Sequence, residues 1–168
     1  MNRFTSIAGL LGAAAIVVGV LAVTSDSAKN NAHSGYGTAS STTAAGRAGT
    51  VVQAHTSSLG RVMTDGQGRT LYLFQADKPN VSKLLAAGLS VWPPLAATGT
   101  PHAGNGALAA KLGTITGADG KPQVTYDRHP LYYYVGDTKP GQTKGQALNQ
   151  FGAEWYVLAP SGNKIDND

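Results

Sequence analysis

The chain has no cysteine in its 168 residues. That absence excludes disulfides, thiolate metal sites, cysteine nucleophiles and a lipid-modified N-terminal Cys. Charge is sparse as well. Thirteen Lys and Arg against nine Asp and Glu leave a formal net charge of +4, and the basic residues are scattered from Arg3 to Lys164 without a run. Surfaces that bind nucleic acid cluster their cations, so no nucleic-acid partner is expected. The four histidines show no His-x-x-x-His spacing, no His-Glu pairing and no accompanying Met cluster, which leaves no zinc or copper pattern. There is no Gly-x-Ser-x-Gly elbow and no phosphate-binding glycine loop. No metal and no cofactor is predicted. What the chain does have is 22 Gly and 8 Pro among short aromatic runs, a composition that favours strands and turns over long helices.

The long apolar run is N-terminal. Arg3 precedes IAGLLGAAAIVVGVLAV at residues 7–23, and small polar residues follow. This is the secretory pattern, so residues 1–25 read as an export signal. Left uncut, residues 4–23 would serve as a short membrane anchor with the remainder outside. Residues 26–49 are Ser, Thr, Ala, Gly and Asn with almost nothing large and apolar. Such a stretch cannot bury enough surface to offset its ordering entropy and reads as a flexible linker. The folded domain is expected over residues 50–160, with residues 161–168 a polar tail.

Within that domain the sequence writes one pattern twice. Leu71-Tyr72-Leu73-Phe74-Gln75-Ala76-Asp77-Lys78-Pro79 returns as Leu131-Tyr132-Tyr133-Tyr134-Val135-Gly136-Asp137-Thr138-Lys139-Pro140. Each copy is trailed by a Lys, Lys83 or Lys144, and by a Trp segment at Trp92-Pro93-Pro94-Leu95 or Trp155-Tyr156-Val157-Leu158. The repeats therefore span about 58–99 and 111–162. Leu112-Gly113-Thr114-Ile115 matches Leu59-Gly60-Arg61-Val62, which gives the second repeat an extra strand-turn unit and leaves Asp119 or Asp127 as the counterpart of Asp65. Strands are expected at 51–55, 61–64, 69–75, 123–126, 131–135 and 155–158, with tight turns at Asp65-Gly66 and Asp119-Gly120. Alternation places Leu71 and Leu73 on one face of a strand and Tyr72 and Phe74 on the other. Residues 83–89 suit a short helical turn, residues 97–110 a loop, and Pro93-Pro94 opposes both helix and central strand. The fold class is mainly β, two pseudo-symmetric hairpin-rich repeats sharing one core, with at most short helices.

Two readings stand for the residues that carry chemistry. Asp77 and Asp137 are either a carboxylate pair brought together by the repeat symmetry, able to bind a cation or act on a glycan, or turn residues that accept backbone N–H groups. Tyr72, Phe74, Trp92, Tyr132, Tyr134 and Trp155 are either an exposed stacking platform or buried core. If they are buried, the tyrosine hydroxyls need partners, and the Asp of the same motif is a candidate. His129, beside Asp127 and Arg128, is the most reactive-looking local cluster, or a turn residue before Pro130. These nine positions, Tyr72, Phe74, Asp77, Trp92, His129, Tyr132, Tyr134, Asp137 and Trp155, are the candidate ligand-binding residues. No catalytic residue is assigned, and an enzyme would use Asp77 and Asp137.

The paired Tyr72-x-Phe74-x-x-Asp77 and Tyr132-x-Tyr134-x-x-Asp137 motifs, with Trp92-Pro93-Pro94-Leu95, Asp119-Gly120 and the Gly-Asp-x-Lys-Pro-Gly stretch at 136–141, resemble the bacterial secreted repeat or lipoprotein repeat proteins. The resemblance covers about residues 58–160. It implies export, with no established enzymatic activity. Many members carry cysteines just before the Trp-Pro-Pro segment, where this chain has Leu84 and Gly88, and the lipobox Cys is missing too. The expectation is an extracytoplasmic, non-catalytic envelope module whose partner is a glycan, peptide or protein. A glycan-directed hydrolase is the alternative. An electron-transfer role is opposed by the missing cysteines and sparse histidines.

Overall fold

The computed structural model describes residues 49–166. The expected export signal or anchor and nearly all of the linker lie outside the described residues. The domain is mainly β, with three three-stranded sheets in the orders β2-β1-β4, β3-β9-β8 and β5-β6-β7. Strands β1 (Val51–Ser57) and β2 (Gly60–Asp65) form an antiparallel hairpin, and β3 (Tyr72–Phe74) follows. A single 3-10 turn, Ala86–Gly88, occupies the segment expected to be helical. The inter-repeat segment is more than a loop. It carries β4 (His102–Ala103), parallel to β1, and a second 3-10 turn at Ala109–Lys111. Repeat two then runs through β5 (Leu112–Thr116), β6 (Pro122–Tyr126), β7 (His129–Pro130), β8 (Leu148–Gln150) and β9 (Ala153–Val157).

The hairpins correct the alignment read from sequence. Leu71 N–H donates to the Met63 carbonyl and Leu131 N–H to the Val124 carbonyl. Thr64 pairs with Thr70 as Thr125 pairs with Pro130. So β5 is the counterpart of β1 and β6 of β2. Repeat two has no extra unit, because repeat one simply starts earlier, at Val51. The counterpart of Asp65 is Tyr126, neither Asp119 nor Asp127, and the counterpart of Arg69 is His129. The β6–β7 turn is made by Asp127 and Arg128, both at positive φ (49° and 68°). That is the geometry of a two-residue hairpin turn without the usual Gly or Asn.

The repeats exchange their Trp segments. Strand β3 of repeat one pairs with β9 of repeat two in the register Tyr72 with Val157 and Phe74 with Trp155. Reciprocally, Pro94 of repeat one bridges Tyr132 of repeat two. Around that bridge Leu95 N–H donates to the Leu131 carbonyl, Tyr133 N–H to the Pro93 carbonyl and Val135 N–H to the Val91 carbonyl. Thus the proline-bearing segment does pair centrally, through its carbonyls and Leu95 N–H, although Pro93 has no N–H to give. The expected strand at 131–135 is met mainly as this set of bridges. At the centre Tyr72 and Tyr132 exchange both backbone bonds, at 2.9 and 3.0 Å, so the two motif strands meet on a pseudo-twofold axis.

Alternation along the motif strand divides the core as expected. Leu71 and Leu73 join Val52, Met63, Val124 and Leu131 in one cluster, while Tyr72 and Phe74 join Val62, Trp92, Tyr132 and Trp155 in the other. The C-terminal segment is part of the fold up to Asp166. Ile165 packs on the aromatic cluster, its N–H donates to the Val157 carbonyl, and Lys164 lies over the Tyr156 ring. Leu84 fills the space over Gly88, where an added Cβ would run into Leu84 Cδ1. The two positions where the resemblance places cysteines are therefore in contact.

Candidate functional site

The duplicated motif closes on itself across the axis. Tyr72 Oη donates to Asp137 Oδ2 at 2.6 Å, and Tyr132 Oη donates to Asp77 Oδ2 at 2.9 Å. Each tyrosine is thus held by the Asp of the other motif, not by its own. The expectation of a partner within one motif is corrected by the crossing of the two strands at Tyr72 and Tyr132. Each carboxylate also orders the loop that follows its motif. Asp77 Oδ1 accepts Lys83 N–H at 2.6 Å, and Asp137 Oδ1 accepts Lys144 N–H at 2.9 Å. The two carboxylates share no partner. The hydroxyls are further engaged, Tyr132 with Ser82 Oγ at 2.7 Å and Tyr72 with Gly145 N–H at 3.2 Å.

Burial sets the electrostatics of these latches. It pushes Asp77 up to about 6, against the opposing pull of its bonds from Lys83 N–H and Tyr132. It raises Asp137 in the same sense, with Tyr72 and Lys144 N–H pulling the other way. Burial also raises both tyrosine hydroxyls well above their ordinary range, reinforced by the neighbouring carboxylates. They act as proton donors at every physiological pH.

The rings pack on one another. Trp92 and Trp155 stack at 3.9 Å with an interplanar angle of 5°. Phe74 continues the stack beyond Trp155 at 4.3 Å, and Tyr134 beyond Trp92 at 4.5 Å. Tyr72 and Tyr132 close it edge-on, at 5.4 Å from Trp92 and 5.2 Å from Trp155. Tyr72, Phe74, Trp92, Tyr132 and Trp155 are all buried, and Tyr134 is half-buried. Gln150 serves both indoles, its side-chain oxygen accepting from Trp92 Nε1 at 2.9 Å and its backbone carbonyl from Trp155 Nε1 at 3.1 Å.

Of the nine candidate positions, His129 stands apart. It sits in β7 opposite Tyr126, half-buried, and burial lowers its pKa. It lines an open cavity of about 300 Å³ together with Phe74, Gln75, Asp77, Asn163 and Lys164. The fold brings His129 to Asp77 and Phe74 there, across a sequence gap of more than fifty residues.

Sequence reasoning missed a second cluster. Asp65 is buried, and its side chain accepts from Gln67 N–H, Arg69 N–H, Arg69 Nε and Tyr133 Oη, all at 2.8–2.9 Å. The Arg69 guanidinium lies 4.0 Å from the centre of the Tyr133 ring. Arg69 and Tyr133 separate a cavity of about 410 Å³, bounded by Thr50, Gln67 and Thr98, from one of about 190 Å³, bounded by Pro93, Tyr134 and Asp137. The available signal was Arg69 closing the Asp-Gly turn. Among the described residues no group of three His, Asp or Glu side chains could hold a metal ion.

Residues 53–96 and 113–159 each match the family described as a secreted repeat of unknown function. The chain belongs to this secreted repeat family. The matched segments begin in β1 and at Gly113 of β5 and end just beyond each Trp segment, so the secreted repeat unit is the hairpin, motif strand and Trp segment found in the fold. Family membership places the domain outside the cytoplasm. No curated protein and no solved structure matches the chain. Among the described residues no helix is long and apolar enough to cross a membrane.

Proposed function

We propose that this secreted repeat is a non-catalytic binding module of the cell envelope, with a glycan, peptide or protein of the envelope as its partner. The observation that carries this reading is the reciprocal latch. The carboxylates that a glycan hydrolase would use are each committed to a tyrosine of the opposite repeat and to a loop N–H. The rings that would stack on a ligand stack on one another. The motif thus supports a rigid, preformed scaffold, and rigidity of this kind lowers the ordering cost of binding. The polar groups of the cavity beside β7, chiefly Gln75, His129 and Asn163, are left to make contacts.

The test is co-sedimentation of the secreted chain with insoluble cell-wall material, with soluble reducing ends assayed in the supernatant. Saturable sedimentation without release of soluble fragments is expected. Release of fragments that depends on Asp77 or Asp137 would establish a hydrolase instead.

A further inference from the structure

We propose that the cleft between β3, β7 and the C-terminal segment is a saccharide subsite, formed by Gln75, Asp77, His129 and Asn163 against the Phe74 wall. The inference rests on the binding-module reading and names a ligand class for it. The cavity holds about 300 Å³, the lower end of the range for small-molecule pockets, which suits one or two sugar rings and not a folded partner. Its chemistry is that of a hydroxyl reader. Gln75 and Asn163 are exposed, and within the described structure neither side-chain carboxamide is engaged by another residue. Each offers both donors and an acceptor. Burial lowers the pKa of His129, so its ring is neutral at neutral pH and supplies one donor and one acceptor. Asp77 adds a carboxylate already oriented by Tyr132 and Lys83 N–H, able to accept a hydroxyl on its remaining lone pairs.

Competing ligands fit less well. Lys164, the cation of the cleft, is paired with Asp166 and lies over the Tyr156 ring, which leaves little attraction for a phosphate. Two metal-ligating side chains, Asp77 and His129, are too few for an ion.

The repeat supplies its own control. Under the pseudo-twofold, Phe74, Gln75, Asp77 and His129 correspond to Tyr134, Val135, Asp137 and Arg69, and these four line the cavity of about 190 Å³. The wall and the carboxylate are kept. The carboxamide has become an exposed valine and the neutral imidazole a guanidinium held by Asp65. The His129 cleft therefore offers an exposed carboxamide and an imidazole at the two positions where its twin has Val135 and the engaged Arg69.

The experiment titrates the full isotopically labelled chain with the β-1,4-linked trimer of N-acetylglucosamine, whose hydroxyl and acetamido groups match that set. Saturable shifts at the His129 ring and the Asn163 side chain are expected. Gln75→Ala and Asn163→Ala, both at exposed positions, should each weaken binding about ten-fold, the loss of one good hydrogen bond, without moving the thermal midpoint. Val135→Ala, at the exposed position of the twin cleft, should leave affinity unchanged. Wild-type affinity in both alanine variants, or shifts confined to the twin cleft, would overturn the site. So would a failure to bind the trimer by a chain that still sediments with cell wall, and the binding-module reading would then survive. Loss of sedimentation with every envelope fraction would remove that reading as well.

Discussion

At the scale of single residues, Asp77 and Asp137 look interchangeable, yet their surroundings differ. Tyr132 has a second partner in Ser82 Oγ, whereas the other partner of Tyr72 is the Gly145 N–H, itself a donor. In Asp77→Asn the carboxamide can accept from Lys83 N–H and donate to Tyr132, whose own proton turns to Ser82. In Asp137→Asn the Tyr72 proton has nowhere to go. A buried hydroxyl left unpaired costs about 1–3 kcal/mol, and chemical denaturation should show Asp137→Asn the less stable variant by about that margin. Equal costs would mean that Tyr72 has found another acceptor. The same carboxylates set the pH dependence. Asp77 is raised from 3.8 to about 6 in the folded protein, so across that window the folded state binds more protons than the unfolded one. Its stabilising contribution is complete below the ordinary value and is lost as pH rises through about 6. The thermal midpoint should therefore fall from pH 4 toward neutrality, and Asp77→Asn should flatten that slope.

At the scale of elements, the alternation of the motif strand sends Leu71 and Leu73 to one cluster and Tyr72 and Phe74 to the other. The loops after each motif are pinned by the motif Asp and fill the sides of the aromatic stack. In repeat one Leu84 does this, and in repeat two the chain approaches so closely that Gly145 is needed. A Cβ there would lie 2.7 Å from Trp92 Cη2 and 3.0 Å from the Tyr72 ring. Gly145→Ala must displace rings locked in the stack, and overpacking of this kind costs about 1–3 kcal/mol. Denaturant unfolding measures the cost, and the near-ultraviolet circular dichroism of the tryptophans should change with it. An unchanged spectrum with full stability would show that the loop, not the stack, yields.

At the scale of the whole molecule, exchange of the Trp segments makes the repeats one cooperative unit. Repeat one lacks its own partner for β3, and repeat two lacks its own partner for Tyr132. A chain cut after Gly106 should give halves that show no cooperative melt separately and regain one when mixed. A half that melts cooperatively alone would contradict the interleaved fold.

Much of this was legible in the sequence. Duplication, strand alternation and the Asp-Gly turns are local signals, and they were enough for a mainly β fold of two repeats and for membership of the secreted repeat family. The start of repeat one was misread because Leu59-Gly60 and Leu112-Gly113 look alike, although one opens β2 and the other lies in β5. The chain could not show that Tyr72 answers to Asp137 and Tyr132 to Asp77, since within each motif the nearer Asp is only five residues away. Nor could it show that His129 shares a cleft with Asp77, or that Arg69 and Asp65 meet Tyr133. The sequence by itself determined which residues lie on each face of each strand, because that depends on a period of two. Only the tertiary structure decided which repeat supplies each partner, because a pseudo-twofold crossing sets residues sixty positions apart side by side.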